Sequence, residues 1–161
     1  MLPDCKNLLG ESVIWDPKRE QLLWVNIHDG ELWRHRSASS IVRVHRMPER
    51  LGCIGLRQGG GLVVGLASGH GLYNLDTEVL ERLAEVEPDL PTTWLNDGRI
   101  YRQGRFVWGM AEGEPQVPLS AGNQPDLPQL RRPGPRDAVR YLGSLRVSDR
   151  EASLDAGGAA P

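Results

Sequence analysis

The chain has 161 residues, of which 19 are basic and 21 acidic, for a formal charge of −2. That balance gives it no electrostatic reason to seek nucleic acid or an anionic membrane. No apolar run approaches the ~18 residues of a membrane span, and no charged and apolar leader opens the sequence, so a soluble, cytoplasmic protein is expected.

Ser12-Val13-Ile14-Trp15 reads as a first strand, followed by the turn Asp16-Pro17-Lys18-Arg19-Glu20 and the apolar run Gln21-Leu22-Leu23-Trp24-Val25-Asn26-Ile27. His28-Asp29-Gly30 is a hairpin signal before a third strand over 31–35. Ile41-Val42-Arg43-Val44-His45 alternates apolar with polar, as a fourth, half-buried strand does. The same order returns over Cys53-Ile54-Gly55-Leu56-Arg57, 61–67, 71–75 and a last segment around 79–83. Residues 78–87 are also rich in helix formers, and an outer strand is the preferred reading because the repeat requires one there. Gly59-Gly60-Gly61 is a hairpin turn and not a phosphate loop, since no helix follows it.

The run 21–27 aligns with 61–67 and again with 105–111, each preceded by a turn. A period of ~40–45 residues with about four strands per repeat marks the blade of a β-propeller. A third blade starts near Asn96 and stops after its second strand. Tryptophans sit at 15, 24, 33, 94 and 108 and none beyond, whereas seven of the twelve prolines lie at 115 or later. The core-forming part therefore precedes a Pro/Arg/Ala/Gly-rich tail that is expected to be irregular, with a marginal helix or strand over 138–147. All but two of the basic residues are arginine, which suggests a GC-rich coding sequence. A shifted reading frame in such a gene would give the tail its composition.

Three stretches carry a resemblance to a known family: Leu9-Gly10-Glu11-Ser12, Thr92-Thr93-Trp94-Leu95-Asn96-Asp97-Gly98-Arg99 and Gln103-Gly104-Arg105-Phe106-Val107-Trp108-Gly109-Met110. They resemble the signatures of the gluconolactonase/regucalcin (senescence marker protein) family, metal-dependent lactonases on a six-bladed propeller. The resemblance implies an all-β fold of that type, truncated to about two and a half blades over residues 9–113, with an irregular tail over 114–161. Two and a half blades do not close a ring. Either the chain is part of a longer fold or several copies complete one, and the sequence offers no device for the second.

The resemblance also implies roles. Glu11 would be a metal ligand at the mouth of the central channel, a carboxylate suited to a hard divalent cation such as calcium, with zinc as the other candidate ion. Asn96 would point its amide at a sugar-like substrate, whereas Asp97-Gly98 reads as an Asx turn ahead of a strand. Trp94 stands at a substrate-contact position where family members usually carry an arginine, whose forked donors suit an oxygen-rich ligand. After the third-blade strand the family reads Gly-Thr-Met, so Gly109-Met110 looks one residue short, and a second acidic contact falls at Glu112 or Glu114. The remaining ligands and the catalytic base come from later blades in the family, so no catalytic residue is assigned.

The implied function is metal-dependent hydrolysis of a sugar lactone, with that small molecule as the implied partner and neither nucleic acid nor membrane expected. The alternative is a non-enzymatic propeller fragment, either a binding module or an inactive truncated product. Cys5 and Cys53 lack metal-ligand spacing and are expected to be reduced thiols. His28, His35, His45 and His70 fall at turns or outward strand positions with no ligand spacing, where ordinary structural roles are expected.

Overall fold

A computed structural model of the chain describes residues 5–39, 41–90, 92–102, 104–112, 140–147 and 152–155. Its secondary structure there is entirely β. The first antiparallel sheet joins β1 (Gly10–Asp16), β2 (Gln21–Asn26), β3 (Glu31–Arg36) and β4 (Ile41–Arg46) in chain order. The second joins β5 (Leu51–Leu56), β6 (Leu62–Leu66), β7 (Gly69–Tyr73) and β8 (Leu80–Glu85). The helix-prone segment is thus the outer strand β8. The third holds β9 (Thr93–Ile100), β10 (Arg105–Glu112), β11 (Arg140–Val147) and β12 (Ala152–Asp155), in the order β12-β11-β10-β9.

The third sheet has two strands beyond β10: β11 falls in the segment 138–147 read as a marginal helix or strand, and β12 has no counterpart in the sequence reading. β11 pairs with β10 from Arg105↔Arg146 to Met110↔Arg140, and β12 pairs with β11. A strand paired on one edge leaves a row of unmatched N–H and C=O groups on the other. Backbone pairing of that edge does not need the large apolar side chains whose absence made the tail read as irregular. The remainder of the segment expected to be irregular, 114–139 included, lies outside the described residues.

The middle sheet is sandwiched, and its sequence says why β6 is apolar throughout. Leu62, Val64 and Leu66 point into one core with Leu23, Val25, Ile27 and Leu32 of the first sheet. Val63 points the other way, into a second core with Leu95, Phe106, Trp108 and Met110 of the third. A strand covered on both faces has no reason to alternate. β4 is mostly exposed, and there the apolar–polar alternation does not set burial: the polar His45 is inside whereas Ile41 and Val44 are outside.

Turns are fixed locally. The buried Asp16 carboxylate accepts from the Lys18 and Arg19 backbone N–H groups at 3.1 and 3.3 Å and from Gln21 Nε2 at 2.9 Å, closing the β1–β2 hairpin. Gly30 closes the β2–β3 hairpin with φ 60°, as the His28-Asp29-Gly30 signal indicates.

The histidines correct an expectation. His35, His45 and His70 are buried, not solvent-facing, because the outward strand positions they occupy are covered by neighbouring sheets and loops. Burial is the first cause that holds His28, His45 and His70 below the usual imidazole range. At His45 the nearby Glu78 opposes it, with its Oε1 3.1 Å from Nδ1. A lowered folded-state value means that the unfolded chain binds more protons over the interval between the two values. Stability is therefore full above the ordinary imidazole range and is lost as pH falls through it. Thermal midpoints measured from about pH 8 to about pH 5 are expected to fall, and His70→Leu is expected to flatten that slope.

Candidate functional site

The first strands of the three sheets, β1, β5 and β9, pack against one another in sequence. β5 and β9 run in the same direction. Gly52 abuts Leu95 and Asn96, Cys53 abuts Gly98, and Gly55 abuts Ile100. Ser12 Oγ accepts from the Ile54 N–H at 3.0 Å and ties β1 to β5. The N-terminal ends of β5 and β9 therefore face the same way.

Register places the predicted residues on a common level. Val25, Gly65 and Gly109 occupy the same position in the repeated second strands, and their cross-strand partners are Glu11, Cys53 and Asp97. Glu11 and Asp97 are exposed and Cys53 is fully buried. Burial pushes the Cys53 thiol far above its ordinary value and the Asp97 charge adds to that, so the middle member is a neutral thiol, unsuited to ligate a metal or attack a carbonyl. Both cysteines are free.

Each of these strands carries a β-bulge near this level. In β5 and β9 the extra residue lies between Leu51 and Cys53 and between Leu95 and Asp97, which makes Gly52 and Asn96 equivalent. In β1 the irregularity falls one step later, between Glu11 and Ile14, where Ser12 adopts φ 52°. A bulge leaves one residue out of the ladder and re-aims its side chain, as happens beside active sites. Asn96 is that residue in the third sheet, and it is half-buried.

One reading is corrected here. Asn96-Asp97-Gly98 is not a turn before a strand, because all three lie within β9. Gly98 is required by packing: a Cβ there would come within 2.7 Å of Cys53 Sγ and 2.8 Å of Phe106 Cζ. At Gly109-Met110 the ladder shifts register. β10 is continuous, and the register shift arises from the extra residue on β9. Glu112 ends β10 exposed, opposite Thr93, and Glu114 lies outside the described residues.

The approach to Glu11 is held by Asn26. Its Oδ1 accepts from the Leu9 N–H at 3.2 Å while its Nδ2 donates to Asp29 at 2.6 Å and Glu31 at 3.2 Å. The Ile27 N–H donates to the Leu9 carbonyl at 3.0 Å, so the chain entering β1 is clamped to the β2–β3 hairpin.

At Trp94 the indole Nε1 is buried without an acceptor among the described residues. The Arg50 guanidinium carbon lies over the indole ring, 5.4 Å from its centroid. Arg50 ends the connection from β4 to β5, and no sequence signal singled it out. No cluster of three or more His, Cys, Asp or Glu side chains suited to a metal ion is present among the described residues. Calcium takes about six to eight oxygens, so the described donors do not fit a divalent ion by themselves.

Residues 9–125 match the family described as the SMP-30/Gluconolactonase/LRE-like region. An L-arabinolactonase of Azospirillum brasilense is 40% identical over 123 residues, which cover 76% of this chain and 41% of that protein. A 6-deoxy-6-sulfogluconolactonase of Pseudomonas putida is 38% identical over 103 residues, 64% of this chain and 35% of that one. A solved structure of regucalcin, a calcium-binding protein of Agrobacterium tumefaciens, superposes with a TM-score of 0.62 at 31% identity, covering 65% of this chain and 36% of its own. The chain thus spans about two fifths or less of the length of these relatives, and its all-β architecture is theirs, blades of a propeller.

Proposed function

Because the chain belongs to the SMP-30/Gluconolactonase/LRE-like family, we propose that it carries the N-terminal part of a sugar-lactone hydrolase site. The observation that carries this reading is the equivalent register position of Glu11 in β1 and Asp97 in β9, with Asn96 beside Asp97 at a bulge. An amide turned out of a ladder offers both a donor and an acceptor to a hydroxyl or carbonyl. Glu11 supplies a carboxylate for a divalent ion, calcium or zinc, whose other oxygen ligands must come from beyond the described residues. No described residue is assigned as the catalytic base. Lactonase relatives favour a sugar lactone as the substrate class.

The described donors, which do not fit a divalent ion by themselves, support a second reading in which these residues bind the ligand without turning it over. Two measurements separate the readings. Calcium added to the purified chain is expected to raise its thermal midpoint slightly through Glu11, an effect absent in Glu11→Gln. Hydrolysis of glucono-δ-lactone with calcium, zinc or manganese is expected to stay near the spontaneous rate, because a missing positioned base forfeits on the order of 10²–10⁴-fold. An identical calcium response in Glu11→Gln would remove the metal role from that residue. Robust metal-dependent turnover would place a base within this chain.

A further inference from the structure

A guanidinium taken out of water is costly unless an anion or acceptor meets it, so arginine is almost never buried without a partner. Arg34 breaks that rule. It is only 9% exposed, and its Nη1 is enclosed without a hydrogen-bond partner among the described residues. On β3 it stands opposite Leu23 of β2 and opposite Arg43 of β4. Cross-strand partners share a face, and Leu23 lies in the core against the second sheet, so Arg34 and Arg43 are on the face of the first sheet turned to the second. Arg36, two residues on, shares that face.

The surroundings do not neutralise it. Burial first, then the charges of Arg43 and Arg36 with Arg19 adding to them, holds the Arg34 guanidinium below its ordinary value, and Asp76 opposes them. A guanidinium stays protonated at neutral pH all the same. The carboxylates that come nearest belong to the connection between β7 and β8, and both are engaged. Asp76 Oδ2 accepts from Arg19 Nη2 at 3.0 Å, and Glu78 Oε1 lies 3.1 Å from His45 Nδ1. Asn74 Oδ1 accepts from the Asp76 and Thr77 N–H groups at 2.9 and 3.1 Å, which fixes the connection and keeps those carboxylates on their present partners.

We propose that Arg34, together with Arg43 and Arg36, forms an oxyanion site on β3 and β4 between the first and second sheets, and that it takes a phosphate group, free or as a monoester. The surplus of positive charge suits a dianion better than a carboxylate. A tetrahedral group also presents oxygens in several directions, so guanidiniums from two strands share it through charge-assisted, bidentate hydrogen bonds. Arg43 and Arg36 are exposed, so the group enters from the solvent side and Arg34 is the floor of the site. The charge of a guanidinium is delocalised, and an anion on its open edge offsets the burial of Nη1 as well.

The test is calorimetric titration of the purified full chain with inorganic phosphate and with methyl phosphate, in chloride buffer at constant ionic strength, beside Arg34→Met and Arg43→Gln. Wild type is expected to bind with a Kd of about 1 mM or tighter. Binding of inorganic phosphate alone assigns the site to the free ion, and binding of methyl phosphate as tightly or more so assigns it to a phosphate ester. Arg34→Met is expected to weaken binding about tenfold or more. In chloride it is expected to be at least as stable as wild type, because it removes an uncompensated buried charge. Thermal midpoints are expected to rise with phosphate more in wild type than in Arg34→Met, while the general stabilisation by excluded phosphate is common to both. Arg43→Gln, at an exposed position, is expected to weaken binding about threefold or more, and it carries the test if Arg34→Met does not fold. Wild type that binds neither probe, or affinity unchanged in Arg34→Met or in Arg43→Gln, overturns the assignment.

Discussion

Gly52→Ala is expected to destabilise the chain by about 3 kcal/mol or more, at or above the upper end of ordinary overpacking. The added Cβ would run into the Leu95 carbonyl oxygen, with the Leu95 carbon at 2.7 Å and the Asn96 Cα at 3.1 Å. These are backbone atoms of β9, so no rotamer change relieves the clash, and β5 and β9 must separate. That separation also moves Asn96 and Trp94. Gly60→Ala is the contrast. Nothing lies within 4 Å of a Cβ there, and only its φ of 97° opposes the substitution, a cost of about 1 kcal/mol. Urea unfolding compares the two, read from midpoints at constant slope. Equal losses would mean that β5 and β9 are not in backbone contact at this point.

Phe106→Ala is expected to cost about 3–5 kcal/mol. Among the described residues, Phe106 is the largest side chain with no solvent exposure. It sits in the core between the second and third sheets, with its ring centroid 6.1 Å from that of Trp108 and its edge close to Gly98. Removing it leaves a void bounded by Cys53, Leu95 and Trp108 that rigid strands cannot close. Val79→Ala, at a side chain 59% exposed, is expected to stay within about 0.5 kcal/mol of wild type. A loss below about 1 kcal/mol for Phe106→Ala would indicate that the third sheet does not dock on the second through this core.

The His70→Leu test probes the same interface from the other side. His70 lies 4.7 Å from the Trp108 ring with neither ring nitrogen bonded among the described residues. Its contribution to pH dependence therefore comes from burial alone.

Much of this was legible in the chain itself. The spacing of 21–27, 61–67 and 105–111 gave the three second strands within a residue or two, because local backbone pairing and a period of two are properties of contiguous sequence. The resemblance led to Glu11, Trp94 and Asn96, and the register of β1 and β9 brings Glu11 and Asp97 to one level with Asn96 beside them. What local pattern could not give was the reason for individual residues. Asn-Asp-Gly carries the same composition in a turn and in a bulged strand, and only the packing of Gly98 on Cys53 and Phe106 separates the two. Whether 138–147 is a helix or the strand β11 stayed open for the opposite reason. Its pairing depends on an open edge of β10, a feature of another segment.

The sequence by itself determined the β class, the blade period and the family, since each follows from short-range alternation or from contiguous motifs. Only the tertiary structure decided that Gly52 and Asn96 are equivalent bulges, that Cys53 stands buried between two exposed carboxylates, and that Arg50 lies over Trp94. Those relations join residues some 40 or more positions apart. They exist because successive sheets stack through shared cores, and stacking is set by volume and shape across the interface, which no single segment encodes.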